Sequence, residues 1–199
     1  MTPDPRPGAP KHHTWWKGDQ GQVGAYLHGY DSTWLPAALL RPARRRVLAD
    51  ALFAASRHWS VSLHFNKGLA GAPAEAIDAA RDTATNPAVL GAFALAISAA
   101  EGAPAYPGIS GHEPELSTAR RHADAIDSAM SEMRKLLPTV GAYVSESDFF
   151  DEAWQQSFWG ANYARLAGVK DRYDPDGLFI VHHGVGSERW SADGFTRSA

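Results

Sequence analysis

The chain has 199 residues, 44% of them hydrophobic and 21% charged, which suits one domain of substantial core or a large lobe of something bigger. A net charge of −3 and a pI of about 6.3 argue against a nucleic-acid or membrane-surface binder. With no cysteine, disulfides, thiolate metal sites, cysteine nucleophiles and a cysteinyl cofactor link are all excluded.

Residues 1–17 lack the apolar core of a signal peptide, and their prolines and the His12-His13 pair read as a flexible lead-in. No apolar run approaches the roughly 20 residues that span a bilayer, and a cytoplasmic location is expected. Gln22 to Tyr30 alternates as a half-buried strand, with Val23, Ala25 and Leu27 opposite Gln22, Tyr26, His28 and Tyr30. Pro42 fits the first turn of a helix whose inner face carries Val47, Leu48, Ala51, Leu52 and Ala55. Arg41, Arg44, Arg45 and Arg46 are its solvated side. Trp59 to Asn66 alternates again, Trp59, Val61, Leu63 and Phe65 against Ser60, Ser62, His64 and Asn66.

A short helix begins near Pro73 and ends before Asn86-Pro87. Ala92 to Ser98 is apolar on both sides, either a buried strand or an Ala-rich helix. After Pro114, Leu116, Ala119, Ala123, Ile126, Met130, Met133 and Leu137 recur at steps of three and four, a core-packing stripe that Pro138 ends. Val140 to Ser147 alternates as a further strand, Val140, Ala142 and Val144 against Tyr143, Ser145 and Ser147. A final helix from Glu152 to Tyr173 aligns Trp159, Tyr163, Leu166, Lys170 and Tyr173, and the turn Asp174-Pro175-Asp176-Gly177 stops it.

These elements predict an α+β fold, an antiparallel sheet with helices packed on one face. The other face would carry Tyr26, His28, Tyr30, Ser60, His64, Asn66, Tyr143 and Ser145. Such a surface, aromatic rather than Lys- and Glu-rich, suits a bound ligand or a second domain; self-association into a homodimer would cover it equally. His64 and Asn66, about 7 Å apart on one strand face, are the candidate catalytic pair. His64 offers an imidazole that could serve as a base, and Asn66 can hold a substrate oxygen. Neither His pair, His12-His13 nor His182-His183, has a carboxylate at ligand spacing, and adjacent residues of an extended chain point opposite ways, so no metal site is expected. No G-x-S-x-G elbow or Ser-His-Asp arrangement speaks for a hydrolase. The run Gly18-x-x-Gly21-x-x-Gly24 neither follows a strand nor opens a helix, which makes it a poor phosphate cradle.

The most specific stretch is Phe158-Trp159-Gly160-Ala161-Asn162-Tyr163-Ala164-Arg165-Leu166, continuing through Val169-Lys170 to Asp174-Pro175-Asp176-Gly177-Leu178-Phe179. It resembles the C-terminal signature of the berberine-bridge-enzyme-like FAD-linked oxidases, with nearly every specified position filled at the right spacing. The resemblance covers at least Gly141 to Phe179 and extends plausibly to Trp15. It implies a sheet whose front roofs the isoalloxazine and lines the substrate pocket, with Asn162, Tyr163 and Tyr143 near the flavin. It further implies oxidation of an alcohol or amine by hydride transfer to FAD. Two departures stand out. In Ala142-Tyr143-Val144-Ser145-Glu146-Ser147-Asp148, Ser145 and Glu146 replace the family's Asn and second aromatic; where the family often places its base, Asn86-Pro87-Ala88-Val89 and Phe93-Ala94-Leu95 offer no proton acceptor. The Gly-rich FAD loop is also missing. The expectation is therefore a substrate-binding, C-terminal half, with residues 18–140 as substrate-domain sheet and helices and 141–199 as the berberine-like part. Its implied partners are a small-molecule substrate and an N-terminal FAD-binding domain or subunit. The alternative is a non-catalytic small-molecule-binding or interaction remnant of that fold.

Overall fold

The structure, a computed structural model, describes residues 2–4, 7–15, 24–67, 69, 71–137, 141–191 and 193–198. Near the N-terminus Thr2–Pro3 (β1) pairs antiparallel with Thr14–Trp15 (β2), so a two-residue ladder folds the lead-in back on itself. The main sheet comprises β3 (Tyr26–Pro36), β4 (Ser62–Phe65) and β5 (Ala92–Gly102), in the order β3-β5-β4 with both pairings antiparallel. The helices are α1 (Pro42–Ser56), α2 (Ala74–Arg81), α3 (Ala88–Gly91), α4 (Leu116–Leu136) and α5 (Tyr163–Tyr173). The fold is α+β, and none of these helices is long and apolar enough to cross a membrane.

The segment that is apolar on both sides is β5, and its central place in the sheet explains that pattern, because a middle strand is buried from both faces. On the back, Leu35, Ala94 and Ala96 meet Leu48 and Ala55 of α1 and Ile126, Ala129, Met130 and Met133 of α4. Pro42 opens α1 as expected. Val47, about 100° around the helix from Leu48, stays exposed, as does Leu116 in the first turn of α4. Glu115 caps that turn by accepting from Ser117 N at 3.2 Å and Thr118 N at 2.9 Å.

One buried ion pair crosses from sheet to helix. Asp31 on β3 is 3% exposed and bonds the Arg134 guanidinium of α4. Burial nevertheless pushes its carboxyl up to about 6, outweighing the downward pull of Arg134.

Three predicted elements differ. The first strand runs on to Pro36, while Gln22 and Val23 lie outside the described residues. A bulge also falls in it: Leu27 pairs with Glu101 but Gly29 with Ala100, so His28 is the extra residue and resets the alternation. Leu27 is consequently 59% exposed rather than facing the core. The second difference is the strand expected from Val140 to Ser147: Val140 lies outside the described residues, and 141–147 is not a strand. Gly141 O accepts from Trp34 N at 3.0 Å along the free edge of β3, and the chain then turns, Glu146 N donating to Tyr143 O at 2.9 Å. Ser147 Oγ donates to Val144 O and Asp148 accepts from Phe150 N, local bonds that compete with a ladder.

The third is the last helix, which is interrupted. Gln155–Trp159 forms a π-helical turn, Gly160–Asn162 a 3₁₀ turn, and only then does α5 begin. Gly160, at φ 53° and ψ −136°, occupies a region open in practice to glycine. The break lets Trp154 and Phe158 bury against Ala142 in a second small core, with Trp159 and Tyr163 packed on it.

Candidate functional site

Register fixes what the sheet front presents. Trp34, Leu95 and His64 form one cross-strand row, and Ser32, Ile97 and Ser62 the next. The middle of that front is closed within the chain: Leu95 and Ile97 are each 4% exposed, packed with Trp34 and with Tyr30, Ala88 and Val89. His64 is exposed on the outer strand.

Asn66 lies just past the end of β4 and has turned away from the position expected beside His64. Its backbone N–H donates to Phe93 O at 2.8 Å, and its Nδ2 donates to Val89 O at 2.7 Å and Ala92 O at 3.3 Å. It thus fastens the end of β4 to the α3–β5 junction and lines a cleft of 420 Å³ with Ile77, Thr83, Thr85 and Leu90.

Asn162 reaches the same cleft from the other side. Its Nδ2 donates to Thr83 O at 3.1 Å and Thr85 O at 2.9 Å, and Arg165 donates to Thr83 O at 2.6 Å. Asn66 and Asn162 therefore each hold part of the cleft lining through two backbone carbonyls.

Tyr163 is placed elsewhere. Its hydroxyl donates to Glu188 Oε2 at 2.6 Å and accepts from Gly186 N at 3.2 Å, and its ring meets Trp154 edge-on at 5.5 Å. Burial, reinforced by Glu188, pushes the phenol up to about 12, so it stays protonated at neutral pH. Tyr143 is 41% exposed, its ring 6.3 Å from that of Trp34 and its backbone N–H on Ser32 Oγ at 3.1 Å.

A larger feature escaped sequence reading. At the free edge of β3 lies a cavity of 770 Å³, bounded by His28 and Tyr30 of β3, by α4, by the loop 144–150 and by Val181 to His183. One wall is a column of rings. Phe149 stacks on His182 at 3.9 Å and 17°, His182 on His183 at 3.7 Å and 27°, and His183 lies parallel to Trp154 at 5.3 Å and 11°. His182 Nε2 donates to Phe149 O at 2.8 Å. The extended-chain picture of His182-His183 fails because His183 has φ 56°, which swings its ring onto its neighbour's. Among the described residues no three His, Asp or Glu side chains converge to hold a metal ion.

Behind this cavity His28 Nδ1 and His122 Nδ1 share one hydrogen bond of 2.9 Å, with Trp59 4.7 Å from the His122 ring. One imidazole must donate and the other accept, so both are not protonated together while the bond lasts.

Residues 142–186 match the family of berberine and berberine like domains. The chain carries a berberine-like segment. An uncharacterized FAD-linked oxidoreductase of Arthroderma benhamiae is 51% identical over 61 residues, 31% of this chain and 10% of that protein. The FAD-linked oxidoreductase notD' of Aspergillus versicolor is 54% identical over 55 residues, 28% of this chain and 9% of its own length. The crystal structure of the VAO-type flavoprotein MtVAO615 from Myceliophthora thermophila superposes with a TM-score of 0.57 at 28% identity, covering 83% of this chain and 28% of that one. The chain thus spans about a tenth of the curated relatives it matches. The berberine-like segment takes in Tyr143, Asn162 and Tyr163 together with the whole ring column.

Proposed function

We propose that this chain supplies the substrate-side, C-terminal part of an FAD-dependent oxidoreductase that oxidises an alcohol or amine by hydride transfer to flavin. Residues 18–140 provide the sheet and its helices, and residues 141–199 the berberine-like part. The observation that carries this reading is the seating of the berberine-like segment on the sheet. Trp34 N–H donates to Gly141 O and Trp34 Nε1 to Ala142 O at 3.2 Å, within a fold that overlays a VAO-type flavoprotein over 83% of its length.

The residues fit the ring end of FAD rather than its phosphate end. α1 opens on Pro42 and α3 follows Pro87, neither after a Gly-rich turn, and α4 has its first N–H groups filled by Glu115. Pyrophosphate contacts would come from an N-terminal FAD-binding domain or subunit. Tyr143, exposed beside Trp34, has a ring face to offer an isoalloxazine. Asn162 through its Nδ2 and Tyr163 through its hydroxyl position the Thr83–Thr85 turn and the Gly186–Glu188 tail. Bound flavin supplies the hydride acceptor. His64, open on the outer strand, is the residue assigned to take the substrate's proton, and Asn66 holds the adjoining cleft wall that orients the substrate.

Co-expression with an N-terminal FAD-binding domain from a VAO-type relative tests this. A co-purifying complex with the visible absorbance of bound flavin is expected. Folded chain that never enters a flavin-loaded complex would overturn the proposal. A second reading, a small-molecule-binding or interaction protein without redox chemistry, draws on the way Asn66 and Asn162 serve the chain's own backbone. It expects a complex or a ligand, but no flavin.

A further inference from the structure

We propose that the 770 Å³ cavity at the free edge of β3 is a binding site for an organic ammonium ion with an aromatic or bulky apolar body. The site is on the opposite edge of the sheet from His64, and the walls named below are built by this chain's own residues.

Its lining divides by chemistry. Leu27, Val144, Phe149, Phe150 and Val181 give it an apolar wall, and Phe150 and Phe149 are 81% and 61% exposed. Two largely exposed phenyl rings, one of them stacked on His182 by one face, line this cavity and are surface that a ligand would cover. Onto this wall converge two carboxylates from separate parts of the chain, Asp127 of α4 and Asp148 of the loop. Asp148 Oδ1 accepts from Phe150 N at 2.9 Å, which sets that carboxylate beside the exposed ring.

The charges around them do not cancel. Arg134, the neighbouring cation, is bonded to buried Asp31. Burial holds His28 and His183 below the ordinary imidazole range, so both are neutral at pH 7. Tyr30 donates its hydroxyl to Glu146, which adds a further carboxylate on the same side. Asp127 is itself held above the usual carboxylate range, by partial burial first and by Asp148 second. An anion would be repelled, and a neutral guest would strip water from two carboxylates without replacing it. A bare metal ion would meet mostly apolar wall. An organic cation satisfies both halves, its head at Asp127 and Asp148 and its body against Phe149 and Phe150.

The test is calorimetric titration of the folded chain with benzyltrimethylammonium, alongside benzoate and benzyl alcohol as anionic and neutral controls. Saturable binding of the ammonium is expected, with none of benzoate. Asp127→Asn combined with Asp148→Asn should weaken it by roughly 10-fold or more, and Phe150→Ala by several-fold. Asp127 and Phe150 are exposed and Asp148 is half-buried, and circular dichroism of the variants checks that they remain folded. Absence of saturable ammonium binding would overturn the proposal, as would equal binding of benzyl alcohol or indifference to the paired Asp→Asn change. Because the titration contains no flavin and no partner, its failure is separable from failure of the oxidoreductase reading.

Discussion

Arg134→Met should expose how much the sheet–helix junction depends on one buried pair. Asp31 is 3% exposed and already titrates at about 6 with Arg134 beside it, against an ordinary 3.8. That difference corresponds to about 3 kcal/mol of folding free energy set against the charged form at neutral pH. The sign follows from a raised folded-state value. The contribution of Asp31 to stability is present at low pH and is lost as pH climbs from 3.8 through about 6. Removing the guanidinium leaves an uncompensated buried carboxylate, a loss usually of about 3–5 kcal/mol. The Arg134 side chain is 48% exposed, so solvent screens part of its charge and the lower end applies, about 3 kcal/mol at pH 7.5. At about pH 5 the loss should shrink, because Asp31 can then bury itself protonated. The double variant Asp31→Asn with Arg134→Met should return to within about 1–2 kcal/mol of the parent, no charge remaining to strand. Urea unfolding of the parent, Asp31→Asn, Arg134→Met and the double variant at both pH values measures the cycle. If Arg134→Met matched the parent at pH 7.5, or if the double variant were no better than the single, burial of Asp31 would not be the governing term.

Asn162→Ala deletes two donors to Thr83 O and Thr85 O and should cost about 1–3 kcal/mol in urea unfolding, with Arg165 still tethering Thr83. The lowered values of His28 and His183 mean the fold prefers both rings neutral, so their share of stability is full above about 6.5 and drains away as pH falls below it. His28→Gln with His122→Gln should flatten the acid limb of a Tm–pH curve; an unchanged limb would place the acid sensitivity elsewhere. Gly177→Ala should destabilise by more than about 1 kcal/mol, since Gly177 has φ 67° and an added Cβ would enter the Trp190 ring. Gly168→Ala, inside α5 with open space around it, should raise Tm by the equivalent of about 0.5–1 kcal/mol.

Patterns that arise from burial alone were readable without coordinates. The α4 stripe and the Pro42 start of α1 could be placed because helix period and proline geometry act locally. β5 was ambiguous for a physical reason: an apolar run buried on both faces carries no period, and only its two partners make it a strand. Misreadings came where the backbone departs from regular geometry. A bulge at His28 moved Leu27 off the core face, the π turn and Gly160 divided one expected helix, and positive φ at His183 built a ring column from a pair expected to diverge. Alternation misled over 141–147 because a turn carrying Ser145, Glu146 and Ser147 alternates too. Of the candidate site, the residue types were legible but their partners were not, since the carbonyls that engage Asn66 and Asn162 are distant in sequence.

Those partners explain how so specific a motif can coexist with so little open chemistry. Lys170 bonds Asp174 and Phe179 O, and Asp174 in turn accepts from Leu178 N at 2.8 Å and Phe179 N at 3.0 Å. Gly177 lets Trp190 close over the turn. Asn162 binds the Thr83–Thr85 turn, and Tyr163 joins Gly186 to Glu188. Asn162, Tyr163, Arg165, Lys170 and Asp174 thus make hydrogen bonds that tie the berberine-like segment to itself or to the cleft wall. A latch of this kind specifies where the C-terminal segment lies, which is why its residues must be of one type at one spacing. In the readings proposed above, chemistry falls to side chains outside this latch, His64 and Tyr143 on the sheet side, and ligand binding to Asp127 and Asp148 in the cavity. Asn162→Ala should therefore act on flavin retention and stability together, whereas His64→Gln should lower turnover in an assembled oxidase with stability unchanged. If the two variants behaved alike, the division between latch and site would be wrong.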